Sequence, residues 1–221
     1  MVESRFPQEM LQRIERCGIV AVLVIDELEH AVPLAKSLLE GGVQVMELTL
    51  RTPVAIDALK LIRQQVPEIL AGIGTILRAD QVDAVHDAGG AFGVSPGCNP
   101  GVLQRAAEIG LPFAPGIVTP TDIEIALELG CRELKFFPAE SSGGLEYLQS
   151  MAAPYTHLGT RFLPLGGVSM ANLAKYLASP LVLAVGGSWL APRSTIAKQD
   201  WQTISKLARQ ASETVKQTRG V

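Results

Sequence analysis

The chain has 221 residues, 48% of them hydrophobic and 19% charged, a balance that excludes a disordered tail and leaves enough apolar material for a substantial core. Its net charge of -3, with Lys and Arg scattered rather than clustered, argues against a nucleic-acid surface but leaves a small anionic substrate open. No stretch approaches the ~18 to 20 apolar residues that span a bilayer, and MVESRFPQEM lacks the basic-then-apolar order of an export signal. Cys17, Cys98 and Cys131 lie far apart and contain no CxxC pair, so a reduced, cytoplasmic setting is expected.

In chain order, residues 7 to 17 read as a helix ahead of the first strand. Eight apolar runs follow, each the length of a buried strand: IVAVLVI, VQVMELTL, ILAGIGT, AFGVSP, LPFAPGI, ELKFFP, RFLPLGG and LVLAVGG. Between them the spacing turns helical, as in Ala31, Leu34, Ala35, Leu38 and Leu39, or Val54, Ala58, Leu61 and Ile62. Ile204, Leu207, Ala208, Ala211 and Val215 give the last helix its buried stripe. Thr52-Pro53, Asn99-Pro100 and Thr119-Pro120 each place a capping oxygen before a proline suited to a first turn, and Thr119 has Asp122 three residues on. Pro33 sits inside the first helical pattern, where it costs ~3 kcal/mol unless the helix begins late or kinks; that boundary stays open.

No Ser/Gly/Pro-rich linker or charge run divides the sequence, so residues 1–221 are expected to form one domain. Strand and helix alternating eight times predict an α/β fold, a single-domain (β/α)8 TIM barrel with an extra N-terminal helix. A doubly wound open sheet is the alternative. In a barrel the chemistry belongs at the C-terminal strand ends.

Alternation along CRELKFFP puts Glu133, Lys135 and Phe137 on one face and Leu134 and Phe136 on the other. A lysine there either snorkels to the mouth or works. An ordinary amine, with a pKa of ~10.4, is neutral in only about one molecule in 2,500 at pH 7, so a nucleophilic lysine needs burial or a neighbouring cation. The chemistry that uses such an amine is Schiff-base formation with a ketone, which supplies an electron sink for breaking a neighbouring carbon–carbon bond.

The second strand reads VMELTLRT, with Glu47, Thr49 and Arg51 on one face. Glu47 is either a structural ion-pair partner of Arg51 or Lys135, or a general acid/base beside an imine. Arg51, at the strand's end, is either a surface arginine or a bidentate grip on a substrate carboxylate.

Gly166-Gly167 and Gly186-Gly187 end the seventh and eighth runs. With Ser188 and the start of a short SWLAP helix they suit a phosphate cradle. GIGTIL lacks the third glycine of a dinucleotide fingerprint, so it reads as a strand end with Thr75 at the mouth. His30, His86 and His157 are isolated, without HxH or HxxxH spacing, and are expected at the surface; no protein-bound metal and no cofactor are expected.

The ordered set ELTLRT, GIGT, VSPG, KFFPAE, LGGV and GGSWLAP, spread over nearly the whole chain, resembles the bacterial 2-keto-3-deoxy-6-phosphogluconate (KDPG) aldolases, also described as 4-hydroxy-2-oxoglutarate (KHG) aldolases. The resemblance implies a class I, metal-independent aldolase on a (β/α)8 barrel, often a homotrimer, that cleaves KDPG to pyruvate and glyceraldehyde 3-phosphate in the Entner–Doudoroff pathway. It implies Lys135 as the Schiff-base lysine and Glu47 as the acid/base, working through water. Arg51 and Thr75 would hold the pyruvyl carboxylate, and Pro96 and Phe137 would shape the pocket. Gly166, Gly167, Gly187 and Ser188 would hold the phosphate. Leu165 departs from the threonine that some members carry, which bears on substrate preference rather than reaction type. An aldolase for an epimeric or unphosphorylated keto acid, a sugar-phosphate isomerase or epimerase using Glu47 as base, and a non-catalytic sugar-phosphate sensor are the alternatives.

Overall fold

A computed structural model describes residues 4–220. Helix α1 (Gln8–Cys17) precedes β1 (Ile19–Leu23), α2 (Ala31–Glu40), β2 (Val45–Thr49), α3 (Ala55–Gln65), β3 (Leu70–Gly74), α4 (Ala79–Asp87), β4 (Gly93–Val94) and α5 (Pro100–Ile109). Then come the short pieces β5 (Phe113–Ala114) and β6 (Gly116–Ile117), α6 (Pro120–Glu128), β7 (Glu133–Phe136), α7 (Gly144–Ala152), β8 (Arg161–Pro164), α8 (Leu173–Leu177), β9 (Val185–Gly187), α9 (Arg193–Ala197) and α10 (Trp201–Arg219). Each of the eight apolar runs carries a strand; the fifth breaks into β5 and β6 at Pro115, which has no N–H for a ladder.

The helix boundaries follow local chemistry in most places. Asn99 accepts from the amide of Gly101 at 3.0 Å, and Thr119 and Asp122 form a reciprocal capping box at the start of α6. The expected Thr52 cap does not form: its hydroxyl donates instead to the carbonyl of Ile25 at 2.6 Å, and α3 begins at Ala55. Pro33 is the third residue of α2, inside the first turn, where no amide finds an intrahelical partner, so the helix accommodates it by starting late.

All strand pairs are parallel. The order runs β5-β4-β3-β2-β1-β9 in one sheet and β6-β7-β8 in the other, and bridges Phe162↔Val182 and Leu165↔Gly186 tie β8 to the β9 strand and its approach. The order advances without the reversal that a doubly wound sheet requires, and the parallel sheet is curled.

Side-chain alternation sorts the apolar residues into two cores. Met46, Leu48, Ile73 and Phe136 point outward against helix residues such as Leu34, Ile62, Val102 and Ile204. Val20, Val45, Leu70, Val94 and Leu163 point into the curl, where they meet Phe6 and Ile14. Ile14 of α1 and Phe6 before it thus close the end at which the strands begin, and leave a dry floor. Glu133 lies buried near that end, where Ser4 Oγ donates to its carboxylate at 2.7 Å; burial pushes its carboxyl above the ordinary range against that hydrogen bond.

Candidate active site

Glu47 in β2 and Lys135 in β7 meet across the concave face. Lys135 Nζ lies 3.1 Å from Glu47 Oε1 and 3.4 Å from Oε2, and both side chains are nearly inaccessible, at 8% and 2% exposure. The Nζ also stands 5.5 Å from the centroid of the Phe137 ring. Beneath the pair the enclosure is lined by Phe6, Ile14, Phe92, Leu163 and Leu183. A charged pair in such surroundings persists through its own close contact, because either ion alone would be uncompensated.

Above the pair lies a cavity of about 200 Å³ at the C-terminal strand ends. Glu47, Arg51, Thr75, Pro96, Lys135, Phe137, Gly166, Gly187 and Ser188 all line it; Gly167 does not. Val22, Thr49, Leu165 and Gly186 complete the wall. Alternation along β2 puts Thr49 on the face of Glu47 and Arg51. In the structure its hydroxyl donates to Leu23 O at 3.1 Å and accepts from Arg51 Nε at 3.3 Å, which anchors the arginine.

Left-handed backbone conformations cluster here. Thr75 has φ of 63°, a left-handed conformation that a β-branched residue rarely adopts. Gly166 and Gly167 have φ of 90° and 85°, and a side chain at Gly166 would press on the Phe137 ring at 3.2 Å. The carbonyls of Gly166 and Gly167 accept from the Glu140 amide at 3.0 Å and Asn172 Nδ2 at 3.2 Å, which fixes this turn.

The segment after Gly187 departs from expectation. SWLAP forms a turn rather than a helix, and α9 starts only at Arg193. The Trp189 ring folds back onto Gly187, where any Cβ would collide with it. His30 also departs: it is buried at 6% exposure with its ring edge-on to Trp201 at 5.7 Å, whereas His86 and His157 are exposed. Among the described residues no group of three or more His, Cys, Asp or Glu is arranged to hold a metal ion. Cys98 does not line the cavity; its thiol contacts the carbonyl of Asp122 and is pushed up to about 11, chiefly by burial.

A larger hollow, about 720 Å³, lies beside α1 where the strands begin, bordered by Arg16, Arg161 and Arg219. It is open and contains neither a lysine nor a buried acid–amine pair, so size and chemistry point to different places. The chemistry favours the smaller cavity as the candidate site.

The sequence pattern of the KDPG and KHG aldolase family matches residues 10–207. The KHG/KDPG aldolase of Escherichia coli (strain K12) is 46% identical over 198 residues, 90% of this chain and 92% of that protein. The 2-dehydro-3-deoxy-phosphogluconate aldolase of Treponema pallidum is 43% identical over 93% of this chain and 97% of its own. The KDPG aldolase of Legionella pneumophila, solved with pyruvate captured at low pH as a covalent carbinolamine intermediate, superposes with a TM-score of 0.86 at 36% identity, covering 90% of this chain and 96% of that one. The Zymomonas mobilis 2-keto-3-deoxy-6-phosphogluconate aldolase solved with 3-phosphoglycerate gives 0.85 at 39% identity over 93% and 96%. With sequence and fold agreeing over nearly its full length, the chain belongs to the KDPG and KHG aldolase family.

Proposed function

We propose that the chain is a class I aldolase that cleaves KDPG to pyruvate and glyceraldehyde 3-phosphate, serving the Entner–Doudoroff pathway, and that it also cleaves 4-hydroxy-2-oxoglutarate to pyruvate and glyoxylate. The observation that carries this reading is the Lys135–Glu47 pair, 3.1 Å apart on a dry floor directly beneath the cavity. The carbinolamine trapped in the Legionella pneumophila aldolase is the first covalent species of the same chemistry.

In an ion pair the ammonium is not a nucleophile. Transfer of one proton from Nζ to Glu47 across the hydrogen bond yields a neutral amine and a neutral acid, a pair that a desolvated site tolerates. The amine adds to C2 of the keto acid, and the carbinolamine loses water to give the iminium. Glu47, once more a carboxylate, takes the C4 hydroxyl proton through water as the C3–C4 bond breaks and its electrons enter the iminium, forming an enamine and releasing the aldehyde. Protonation at C3 and hydrolysis then free pyruvate and restore Lys135.

Arg51, held at Nε by Thr49, and the strained Thr75 grip the pyruvyl carboxylate, and Pro96 and Phe137 shape the pocket around the imine. Gly166, Gly187 and Ser188 hold the phosphate at the far side, with Gly167 setting the turn from outside the cavity wall. The same reading takes residues 1–221 as one domain, a closed (β/α)8 barrel with α1 as an extra helix; the bridges from β8 to β9 support the closure. A homotrimer is proposed on the family resemblance, and a cytoplasmic setting on the three widely spaced cysteines.

Treatment with pyruvate and borohydride should leave a stable mass adduct on Lys135. No adduct would remove the imine and favour an isomerase. Equal efficiency on phosphorylated and unphosphorylated substrates would remove the phosphate cradle while leaving the imine.

A further inference from the structure

β3 lies beside β2 with Glu47 opposite Gly72 and Thr49 opposite Gly74. Alternation puts both glycines on the concave face. At Gly72 the place of the missing side chain is taken by the Phe92 ring. At Gly74 it is taken by Glu47. An alanine Cβ there would fall inside the envelope of Oε1, 2.5 Å from the carboxyl carbon and 2.8 Å from Cγ. Oε1 is the oxygen that Lys135 Nζ approaches at 3.1 Å.

The backbone itself does not call for glycine at this position, because the φ of Gly74 lies outside the left-handed region. What excludes a side chain is the volume of the acid. We infer that Gly74 is a positioning residue: it leaves open the slot across β3 in which the Glu47 carboxylate lies, and so sets the acid's distance to Lys135. The inference rests on the reading of Glu47 as the proton-transfer group.

The three nearest atoms that a Cβ would meet are Oε1, the carboxyl carbon and Cγ of Glu47, all side chain and none backbone. In Gly74→Ala the Glu47 side chain, whose Cγ also lies within reach of the new Cβ, is expected to leave the slot by rotation about its Cα–Cβ bond while β3 keeps its ladder. The fold survives and the acid–amine contact does not.

A double-mutant cycle tests this. Gly74→Ala alone should lower kcat about 100-fold, in the range expected for losing a placed acid/base, with KM little changed. Added to Glu47→Gln, which keeps the side-chain shape but cannot shuttle the proton, it should change kcat less than about 3-fold, because the group it positions is already silent. The thermal midpoint should fall further in the wild-type background than in Glu47→Gln, because only with the carboxylate does the collision also separate a buried ion pair. A Gly74→Ala enzyme within about 3-fold of wild type, or an equal loss of kcat in both backgrounds, overturns the positioning role. Full activity in Glu47→Gln itself would instead overturn the reading beneath it.

Discussion

Replacing Lys135 by methionine keeps the length of the side chain and removes its charge, leaving Glu47, 2% exposed, as an unpartnered carboxylate above an apolar floor. Removing one member of a buried ion pair costs about 3–5 kcal/mol, and most of that cost belongs to the ion left behind. For a chain of this length, at roughly 2–4 °C per kcal/mol, the thermal midpoint should fall by roughly 6–20 °C. A second substitution, Glu47→Met, removes the orphaned charge and should return the double variant to within about 1 kcal/mol of the parent. Circular-dichroism melts at neutral pH read both values, and pyruvate with borohydride should label neither variant. If Lys135→Met melted within about 2 °C of the parent, or the double variant melted as low as the single, the two groups would not form a desolvated pair, and the dry-site argument for imine chemistry would fail.

Thr75→Gly should relieve the left-handed strain, about 1–3 kcal/mol, against roughly 0.5–1 kcal/mol for glycine's extra chain entropy. The midpoint should therefore rise slightly while KM rises through loss of the hydroxyl; a lower midpoint would show that the conformation carries no strain. Glu133→Gln should stabilise the protein at pH 8. The folded-state carboxyl is raised by burial, so its contribution is fully present below the ordinary carboxylate range and is lost as pH rises through the raised value. The advantage should shrink as pH falls below the ordinary range, and a pH-independent difference would refute the assignment. Burial pushes the thiols of Cys98 up to about 11 and Cys131 up to about 12, so at pH 8 only about one Cys98 in a thousand is thiolate, and Cys131 less. Iodoacetamide should spare both in the native protein and label both in denaturant; rapid native labelling would contradict their burial.

Much of this molecule is written locally. Apolar runs of strand length, helical spacing between them, and the Asn99 and Thr119 caps depend on residues a few positions apart, and each is legible in the sequence itself. Period-two alternation placed Glu47, Thr49 and Arg51 on one face and Glu133 and Lys135 on another, because that geometry belongs to every extended strand. The Thr52 hydroxyl escaped the same reasoning, since its partner, Ile25, lies in a different part of the chain.

The curled sheet decided the rest. Glu47 and Lys135 are separated by 88 positions, and only curvature brings their strands face to face. The floor supplied by Phe6 and Ile14, the burial of His30 against Trp201 and the slot at Gly74 all depend on which distant side chain fills a given volume. Sequence spacing carries the period of a strand or helix. It carries no measure of the space left between strands, and that space holds the amine against the acid.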